Sequence, residues 1–331
     1  MIQNRITRRE FSKLLAASAA AAGMFPPLAR AQQKYPSRPV RFVLPFAVTG
    51  VADITARLAA EKLGDKLGQR FVVENMPSPG GIAAVRAVLS QPADGCTIGL
   101  VTNGTAISVA IYNSLPFDPV KDFAPISLIG NFDLVFATNA DAEFKTLADF
   151  LKAARERPGK LDIGTIAVGS TQNLGAELFK AQAGLDIQIV PYRSTPDVIA
   201  GLQRNDIKLM IDFYGAMKRP LLDKKIRPVA TSGSQRSPFF TDVPTVAEAE
   251  VPGYEVTSWN GMFAPVGTPA EIINLLNRSI REIVASSDVK QRYAELGIEA
   301  KASTPEEVKA RLEADIKKWT ALIERAGIQK L

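Results

Sequence analysis

The chain has 331 residues, of which 46% are hydrophobic and 22% charged, a composition typical of a globular protein large enough for two domains. Histidine is absent, so no function of this protein can use a histidine general base or a histidine metal ligand. Five of the 40 basic residues and one of the 34 acidic residues lie in the first 31 positions, which leaves the rest of the chain nearly neutral. The charge distribution therefore excludes the basic face that nucleic-acid binding requires.

The N-terminus carries the features of an export signal. Residues 7–13 (Thr-Arg-Arg-Glu-Phe-Ser-Lys) form a twin-arginine pattern, and an apolar run follows at 14–25. This run is too short for a membrane span, which needs about 20 helical residues. The sequence Ala-Arg-Ala at 29–31 is typical of a cleavage site. We therefore predict a twin-arginine signal peptide over residues 1–31, with the mature chain located in the periplasm.

The mature chain opens with alternating strand and helix signals. Short β-rich runs predict strands at 40–44, 71–73 and 97–101, and apolar residues at helical spacing predict helices at 51–67 and 82–89. The resulting βαβαβ order is the unit of an open parallel sheet.

The same order recurs in the second half of the chain. Strands are predicted at 161–166, 187–191, 208–211 and 227–231, with helices at 173–183 and 195–202. Two units of about 100 residues each indicate two α/β lobes.

Two extended, aromatic-bearing segments lie between these units, at 125–139 and 252–265. A two-lobed protein needs two such connections if the chain leaves its first lobe and later returns to it. We therefore predict that residues 32–134 and 253–331 form lobe I, completed by the C-terminal helices. Residues 135–252 are predicted to form lobe II.

Several motifs occur in order along the whole mature chain. They are YPSRPVR at 35–41, VVENMPSPGGIAA at 72–84, QPADGCTIGLVTNGT at 91–105, LPFDPVKDFAPISLIG at 115–130, PGKLDIGTIAVGSTQNLGAELF at 158–179, IVPYRSTPDVIAGL at 189–202 and SPFFTDVPTVAEAEVPGYEVTSWNGMFAPVGTP at 237–269. This set resembles the Bug family, the substrate-binding components of tripartite tricarboxylate transporters.

The resemblance implies a type II periplasmic-binding-protein fold, in which two βαβ lobes joined by two crossing strands enclose the ligand cleft. It also implies an extracytoplasmic solute-binding protein that captures a small, carboxylate-bearing metabolite for the membrane permease of a tripartite transporter. Such a protein is not an enzyme, and we expect no cofactor, no metal and no nucleic-acid partner.

The strand-to-helix loops are the candidate ligand site, because open α/β sheets bind ligands beyond the carboxyl ends of their strands. In these loops, small or hydroxyl residues stand where helices begin. There the free backbone N–H groups and the helix dipole favour an anion, although the same residue types also serve as ordinary helix caps. The candidates in these loops are Phe46, Ala47, Val48, Thr49, Gly50, Gly80, Gly81, Gly169, Ser170, Thr171, Gln172, Ser194 and Thr195.

Further candidates stand at strand ends, near helix starts and in the aromatic segments. They are Asp53, Thr102, Asn103, Tyr192, Asp212 and Trp259. Asp53 either interacts with the start of its helix or orients backbone and water at the site. Asp212 is either a turn anchor or an acceptor for a ligand amine or hydroxyl. Trp259, like Phe46, packs either over a ligand or in the core.

The first loop departs from the family pattern, which usually has two prolines and a pair of glycines where this chain has residues 47–50 (Ala-Val-Thr-Gly). Without the prolines the loop is less rigid. Thr49 also restricts positive φ angles and adds a methyl and a hydroxyl group. We therefore expect a pocket that differs in size or polarity from that of the family.

Two other classes of function compete with transport. An exported hydrolase is disfavoured because the chain has no histidine, no G-x-S-x-G motif and no cysteine pair, and no segment suggests a serine–lysine mechanism. A sensor that reports its ligand to a signalling partner would use the same pocket as a transport receptor. The residues alone leave that alternative open.

Overall fold

The computed structural model describes residues 35–48 and 51–331, and Arg38–Leu331 form one compact unit. The predicted signal peptide, its cleavage site and the loop residues Thr49 and Gly50 lie outside the described residues. Within the described ranges, no helix is long and apolar enough to cross a membrane.

Three parallel strands form the beginning of lobe I. They are β1 (Val40–Leu44), β2 (Phe71–Asn75) and β3 (Thr97–Thr102), in the spatial order β2-β1-β3. They are connected by α1 (Val51–Leu67), by a 3₁₀ turn (Pro79–Gly81) and by α2 (Ile82–Leu89). β1 and β3 are buried along almost their whole length, which explains why they read as continuous apolar runs.

β3 leads directly into α3 (Asn103–Ile111), which the sequence did not reveal as a helix. Almost every residue of α3 is buried, so no polar face discloses its helical period. The short α4 (Pro119–Asp122) follows, and then the long strand β4 (Phe123–Asn139).

Lobe II has four further strands and four helices. The strands are β5 (Asp162–Thr165), β6 (Gln188–Pro191), β7 (Leu209–Phe213) and β8 (Ile226–Thr231). The helices are α5 (Leu147–Glu156), α6 (Thr171–Ala183), α7 (Thr195–Gln203) and α8 (Tyr214–Leu222). β7, β5 and β6 are parallel, whereas β7 and β8 both pair antiparallel with the second half of β4.

The chain returns to lobe I in β9 (Thr257–Pro265), which pairs antiparallel with β3 and with β4. Along β4, residues up to Asp133 pair with β9, and residues from Leu134 onward pair with lobe II. β4 is therefore shared by both lobes. The predicted two-lobed α/β fold is confirmed.

Three helices end the chain: α9 (Ala270–Ala285), α10 (Ser287–Ala294) and α11 (Pro305–Ala326). α9 packs against α1 and β4, and α11 packs against α3, β4 and α6. The start of α11 is fixed by a capping box between Thr304 and Glu307. The indole of Trp319 in α11 is fully buried and donates to Asn103 Oδ1 at 2.8 Å, which anchors α11 on the start of α3.

Candidate functional site

Helix starts from both lobes line one cavity of about 620 Å³, which we call the main cavity. They are the starts of α1 and α3 in lobe I and of α6, α7 and α8 in lobe II, together with the 3₁₀ turn before α2. Each of these five helices follows the carboxyl end of a parallel strand, where open α/β sheets bind ligands. The volume is in the range of small-molecule sites.

Most of the residues predicted from the loops come together in the main cavity. Those that line it are Phe46, Ala47, Val48, Gly80, Gly81, Thr102, Gly169, Ser170, Thr171, Gln172, Thr195 and Asp212. Residues up to 102 lie at or after the ends of β1, β2 and β3, and those from 169 onward lie at or after the ends of β5, β6 and β7. Loops 67 or more positions apart in the chain (102 to 169) are therefore brought to one cavity by the fold. Thr49 and Gly50 lie outside the described residues.

The start of α6 presents free backbone N–H groups. Ser170 is its N-cap, and the Ser170 hydroxyl accepts from the N–H of Asn173 at 3.1 Å. Gly169 has φ +79°, a left-handed conformation that glycine adopts without strain. Helix geometry leaves the N–H groups of Thr171 and Gln172 without intrahelical acceptors, and both residues line the main cavity. This end of α6 therefore favours an anion.

The start of α3 contributes from the other lobe. Thr102 is its N-cap, and the Thr102 N–H donates to Thr105 Oγ1 at 3.2 Å. Gly104 and Thr105, in the first turn, line the main cavity. The positive end of a second helix dipole is thus placed at the same cavity.

Two glycines shape the turn before α2. Gly80 and Gly81 have φ angles of +64° and +69°. A Cβ atom on Gly81 would lie 3.1 Å from Cβ of Pro45, so the close approach to the first loop also favours glycine there.

Asp212 joins three helix starts of lobe II. Its Oδ1 accepts from Gln172 Nε2 and from the Phe213 N–H, both at 2.8 Å, and its Oδ2 accepts from Thr195 Oγ1 at 2.5 Å. The side chain is buried, and this burial raises the pKa of the carboxyl group, although the three hydrogen bonds act in the opposite direction. Asp212 therefore fixes the starts of α6, α7 and α8 relative to one another.

The electrostatics of the main cavity come from the backbone. Among the described residues that line it, Asp212 is the only ionisable side chain, and no lysine or arginine is present. The rest of the lining includes the apolar side chains of Phe46, Val48, Val85, Ile107, Phe132, Ile166 and Phe213. Such a cavity can hold an anionic group on helix N–H donors and an apolar body on the remaining walls.

Trp259 and Asn103 were predicted as ligand-binding residues, and the structure places both in the core. Trp259 is fully buried and donates from Nε1 to Asp315 at 2.6 Å. Asn103 donates to Thr171 Oγ1 at 2.9 Å and accepts from Trp319, so both of its amide groups are already used. Neither residue lines the main cavity, and of the two alternatives for Trp259 the structure shows packing in the core.

Asp53 also lies outside the lining, in a network behind the first loop. Its carboxylate accepts from Arg57 Nε at 3.0 and 2.9 Å and from Asn75 Nδ2 at 2.9 Å. Asn75 Nδ2 also donates to the carbonyl oxygen of Phe46 at 3.0 Å. Asp53 therefore holds Asn75, which supports the first loop.

Tyr192 and Ser194 are likewise absent from the described lining of the main cavity. The Tyr192 ring packs against Gly201 of α7, where a side chain would collide with it. Ser194 is the N-cap of α7 and accepts from the N–H of Asp197 at 3.4 Å. Both residues contact α7, and their assignment to the ligand site stays a prediction.

Several lining residues were missed by the sequence reasoning. Ser258 and Asn260 line the main cavity from β9, on either side of Trp259. Successive residues of a strand point to opposite faces of the sheet. The polar neighbours of the buried tryptophan could therefore have been predicted to face the cavity. Gly104, Thr105, Ile107 and Ser108 were missed because α3 was not recognised as a helix.

The part of the chain that the structure describes contains no group of three or more histidine, cysteine, aspartate or glutamate residues placed to hold a metal ion.

Comparison with known proteins establishes the family. The family model described as "Tripartite tricarboxylate transporter family receptor" (TctC) matches residues 55–328. Protein BugT of Bordetella pertussis is 30% identical over 310 residues, which cover 93% of this chain and 94% of that protein. The chain belongs to this family of receptors, and the predicted Bug-family membership is confirmed.

Two solved structures are similar over most of the chain. The first is R. palustris Rpa4515 with adipate, at 35% identity and a TM-score of 0.78, covering 90% of this chain and all of that one. The second is MatC from Rhodopseudomonas palustris with bound malate, at 29% identity and a TM-score of 0.73, covering 87% of this chain and all of that one. Both relatives were solved with a dicarboxylate.

Proposed function

We propose that this protein is a periplasmic receptor that captures a small carboxylate and delivers it to the membrane permease of a tripartite tricarboxylate-type transporter. One observation carries the proposal. Helix N-termini of both lobes converge on a cavity that has no lysine or arginine among its described lining residues. A carboxylate is the common metabolite group that such N–H donors bind well.

The carboxylate is held by the free N–H groups at the starts of α6 and α3. Hydrogen bonds to a charged group stabilise by about 1.5–3 kcal/mol each, so a few of them account for a micromolar complex of about −8 kcal/mol. Gln172 and Thr195, which Asp212 holds in place, supply side-chain contacts. Asp212 is thus a positioning residue in this proposal.

The ligand also has an apolar body. Phe46 and Val48 from lobe I and Ile166 and Phe213 from lobe II line the main cavity. Apolar surface buried against them stabilises by about 25 cal/mol per Å². Support comes from the two dicarboxylates, adipate and malate, in the solved relatives.

The two lobes close about β4 and enclose the bound ligand. We place the lobe boundaries at 134/135 and 252/253, which is supported by the change of pairing partner between Asp133 and Leu134 in β4. A ligand that contacts both lobes favours the closed state, because it binds that state more tightly. The closed complex then presents its surface to the permease.

Export by the twin-arginine signal at 7–13, with cleavage after Ala31, delivers the receptor to the periplasm. A relative of known structure, BugD, is described as a periplasmic binding protein, which supports this location.

Thermal melting of the purified chain tests the proposal. The panel contains dicarboxylates, tricarboxylates, aromatic acids, acidic and neutral amino acids, and uncharged controls. A ligand at 100 times its dissociation constant adds about 2.7 kcal/mol to the free energy of unfolding, which raises the midpoint by several degrees. We expect the shift to be confined to carboxylates. A shift produced only by uncharged compounds would refute the carboxylate assignment.

A further inference from the structure

Gly104, the second residue of α3, lines the main cavity. Asn103 and Thr105 on either side of it are buried, whereas Gly104 is half-buried. It lies in an α-helix, where glycine is the least favourable residue apart from proline. A glycine at this position therefore needs a reason other than helix formation.

Neither the backbone nor the packing around Gly104 requires a glycine. Its φ angle lies outside the left-handed region. A Cβ atom at this position would lie 3.2 Å from Thr102 Oγ1 and 3.9 Å from Phe46 Cζ, and these are its only close contacts with described residues beyond its chain neighbours and the backbone of α3. A small shift of the Thr102 hydroxyl relieves the first contact, and the second is an ordinary van der Waals distance.

Two glycines in the helices of lobe II differ in this respect. A Cβ atom on Gly175 of α6 would lie 2.7 Å from Leu134 Cδ1, and one on Gly201 of α7 would lie 2.4 Å from the Tyr192 hydroxyl oxygen. Close packing therefore explains these two glycines. The space beside Gly104 is instead part of the main cavity.

This space adjoins the N–H donors that hold the carboxylate in the proposed function. The N–H of Gly104 belongs to the first turn of α3 and has no intrahelical acceptor. Each Cα–Cβ bond of an α-helix is tilted toward the helix N-terminus, the end at which these N–H groups are free. The start of α6 is close by, since Asn103 Nδ2 donates to Thr171 Oγ1 at 2.9 Å. A Cβ atom on Gly104 would therefore occupy space next to the bound carboxylate.

Aromatic rings border the same part of the main cavity. Phe46, whose Cζ lies nearest to the position of a Gly104 Cβ atom, is 36% exposed and has surface left for a ligand. Phe132 and Phe213 line the cavity as well, and their rings are in edge contact with centroids 5.0 Å apart. Contacts between aromatic rings stabilise beyond the area that they bury.

We propose that Gly104 determines the substrate class, because its missing side chain leaves room for an acid whose carboxylate is attached directly to a ring that packs against Phe46. The inference rests on the proposed function, in which the carboxylate binds at the starts of α3 and α6. In an unbranched aliphatic acid, the carboxylate is followed by a narrow CH₂ group, which leaves the space beside Gly104 partly empty. A ring fills this space and gains the contacts that the narrow chain lacks.

The test is a calorimetric titration of the purified chain with benzoate and with hexanoate, two monocarboxylates of which only benzoate has a ring attached to the carboxylate. The variants Gly104→Ala and Gly104→Val place a side chain in the space. Gly64→Ala is the matched control, because Gly64 lies in α1, its Cβ atom would be 3.3 Å from the Gln69 carbonyl oxygen, and it is absent from the described lining of the main cavity. The thermal midpoint of each variant reports whether it is folded.

We expect the wild type to bind benzoate about tenfold or more tightly than hexanoate. Gly104→Ala should weaken benzoate binding by about tenfold and hexanoate binding by about twofold or less, and Gly104→Val should weaken benzoate binding by about 100-fold. Gly64→Ala should change neither affinity. Because alanine favours a helix more than glycine does, Gly104→Ala should melt at or above the wild-type midpoint. A merely structural role of Gly104 would instead lower the midpoint and leave the affinities unchanged.

Three results would overturn this inference and leave the carboxylate function standing. They are unchanged benzoate affinity in a folded Gly104→Ala variant, hexanoate binding as tight as that of benzoate in the wild type, and absence of benzoate binding by a chain that another acid stabilises. A chain that no acid of the melting panel stabilises would overturn both proposals.

Discussion

Two neighbouring cavities share the side chain of Phe132, yet they differ in the origin of their polarity. The main cavity has one buried carboxylate with three hydrogen bonds and is otherwise polarised by helix N-termini. The second cavity, of about 530 Å³, is lined by charged side chains of both signs: Asp133, Glu255, Glu299, Arg236, Lys301 and Arg311. Electrostatic polarity thus comes from the backbone in one cavity and from side chains in the other. Only the second origin is visible in composition.

The largest effect is expected from Asp212→Leu in the main cavity. The substitution leaves the side-chain donors of Gln172 and Thr195 and the N–H of Phe213 without their buried acceptor. Breaking a buried network of this kind costs about 3–5 kcal/mol of unfolding free energy. Denaturant unfolding monitored by circular dichroism measures the loss. A stability within about 0.5 kcal/mol of wild type would mean that Asp212 does not organise the three helix starts.

The titration of Asp133, which lines the second cavity, should make the stability of the protein depend on pH. The pKa of Asp133 is raised to about 6, so between about pH 4 and pH 6 the folded protein keeps a proton that the unfolded chain has released. Asp133 therefore favours the folded state at low pH, and stability falls as the pH rises through 6. We expect Asp133→Asn to match wild type near pH 4 and to be more stable by about 2–3 kcal/mol at pH 7.

Unfolding free energies measured across this range provide the check. The exposed variant Glu313→Gln should give a curve parallel to that of wild type. Parallel curves for Asp133→Asn and wild type would mean that the pKa of the Asp133 carboxyl group is not raised by burial in the folded protein.

Backbone recognition in the main cavity is tested by proline at Thr171, the first residue of α6. Proline is well tolerated at this helix position, and Ser170 already has the extended conformation that precedes proline, with φ −72° and ψ 159°. Thr171→Pro removes one N–H, and Thr171→Val keeps it while both variants lose the hydroxyl. We expect the proline variant to bind the carboxylate about tenfold more weakly than the valine variant, by calorimetric titration. Equal affinities would exclude this N–H as a ligand contact.

The smallest effect is expected from Thr231→Val in the absence of any ligand. Because Thr231 Oγ1 is buried and has no hydrogen-bond partner within residues 35–48 and 51–331, a methyl group of the same shape should stabilise the fold by up to about 1 kcal/mol. Thermal melting measures this gain. A loss of stability would indicate that the hydroxyl has a hydrogen-bond partner in solution.

The sequence was informative wherever burial was periodic or capping residues were local. The parallel strands were predicted because buried strands read as short apolar runs, and the starts of α6 and α7 were predicted because serine, threonine and glycine favour helix starts. α3 was missed because it is buried almost all round and has no polar face.

Side-chain roles that depend on distant partners could not be predicted. The Asn103 side chain accepts a hydrogen bond from the indole of Trp319, which is 216 positions away. Trp259 points into the core while its neighbours Ser258 and Asn260 line the main cavity, a choice of strand face that the motif does not reveal. The second cavity is lined by residues near 133, 235 and 299, so no local sequence pattern predicts it.

The most direct test of the central claim is a calorimetric titration with a matched pair of ligands. The pair consists of the acid that gives the largest melting shift and its primary amide, which has nearly the same shape but no charge. If helix N–H groups in the main cavity select an anion, the acid should bind about 100-fold or more tightly than the amide, because hydrogen bonds to a charged group are about twice as strong as neutral ones. Equal affinity for acid and amide would contradict the account.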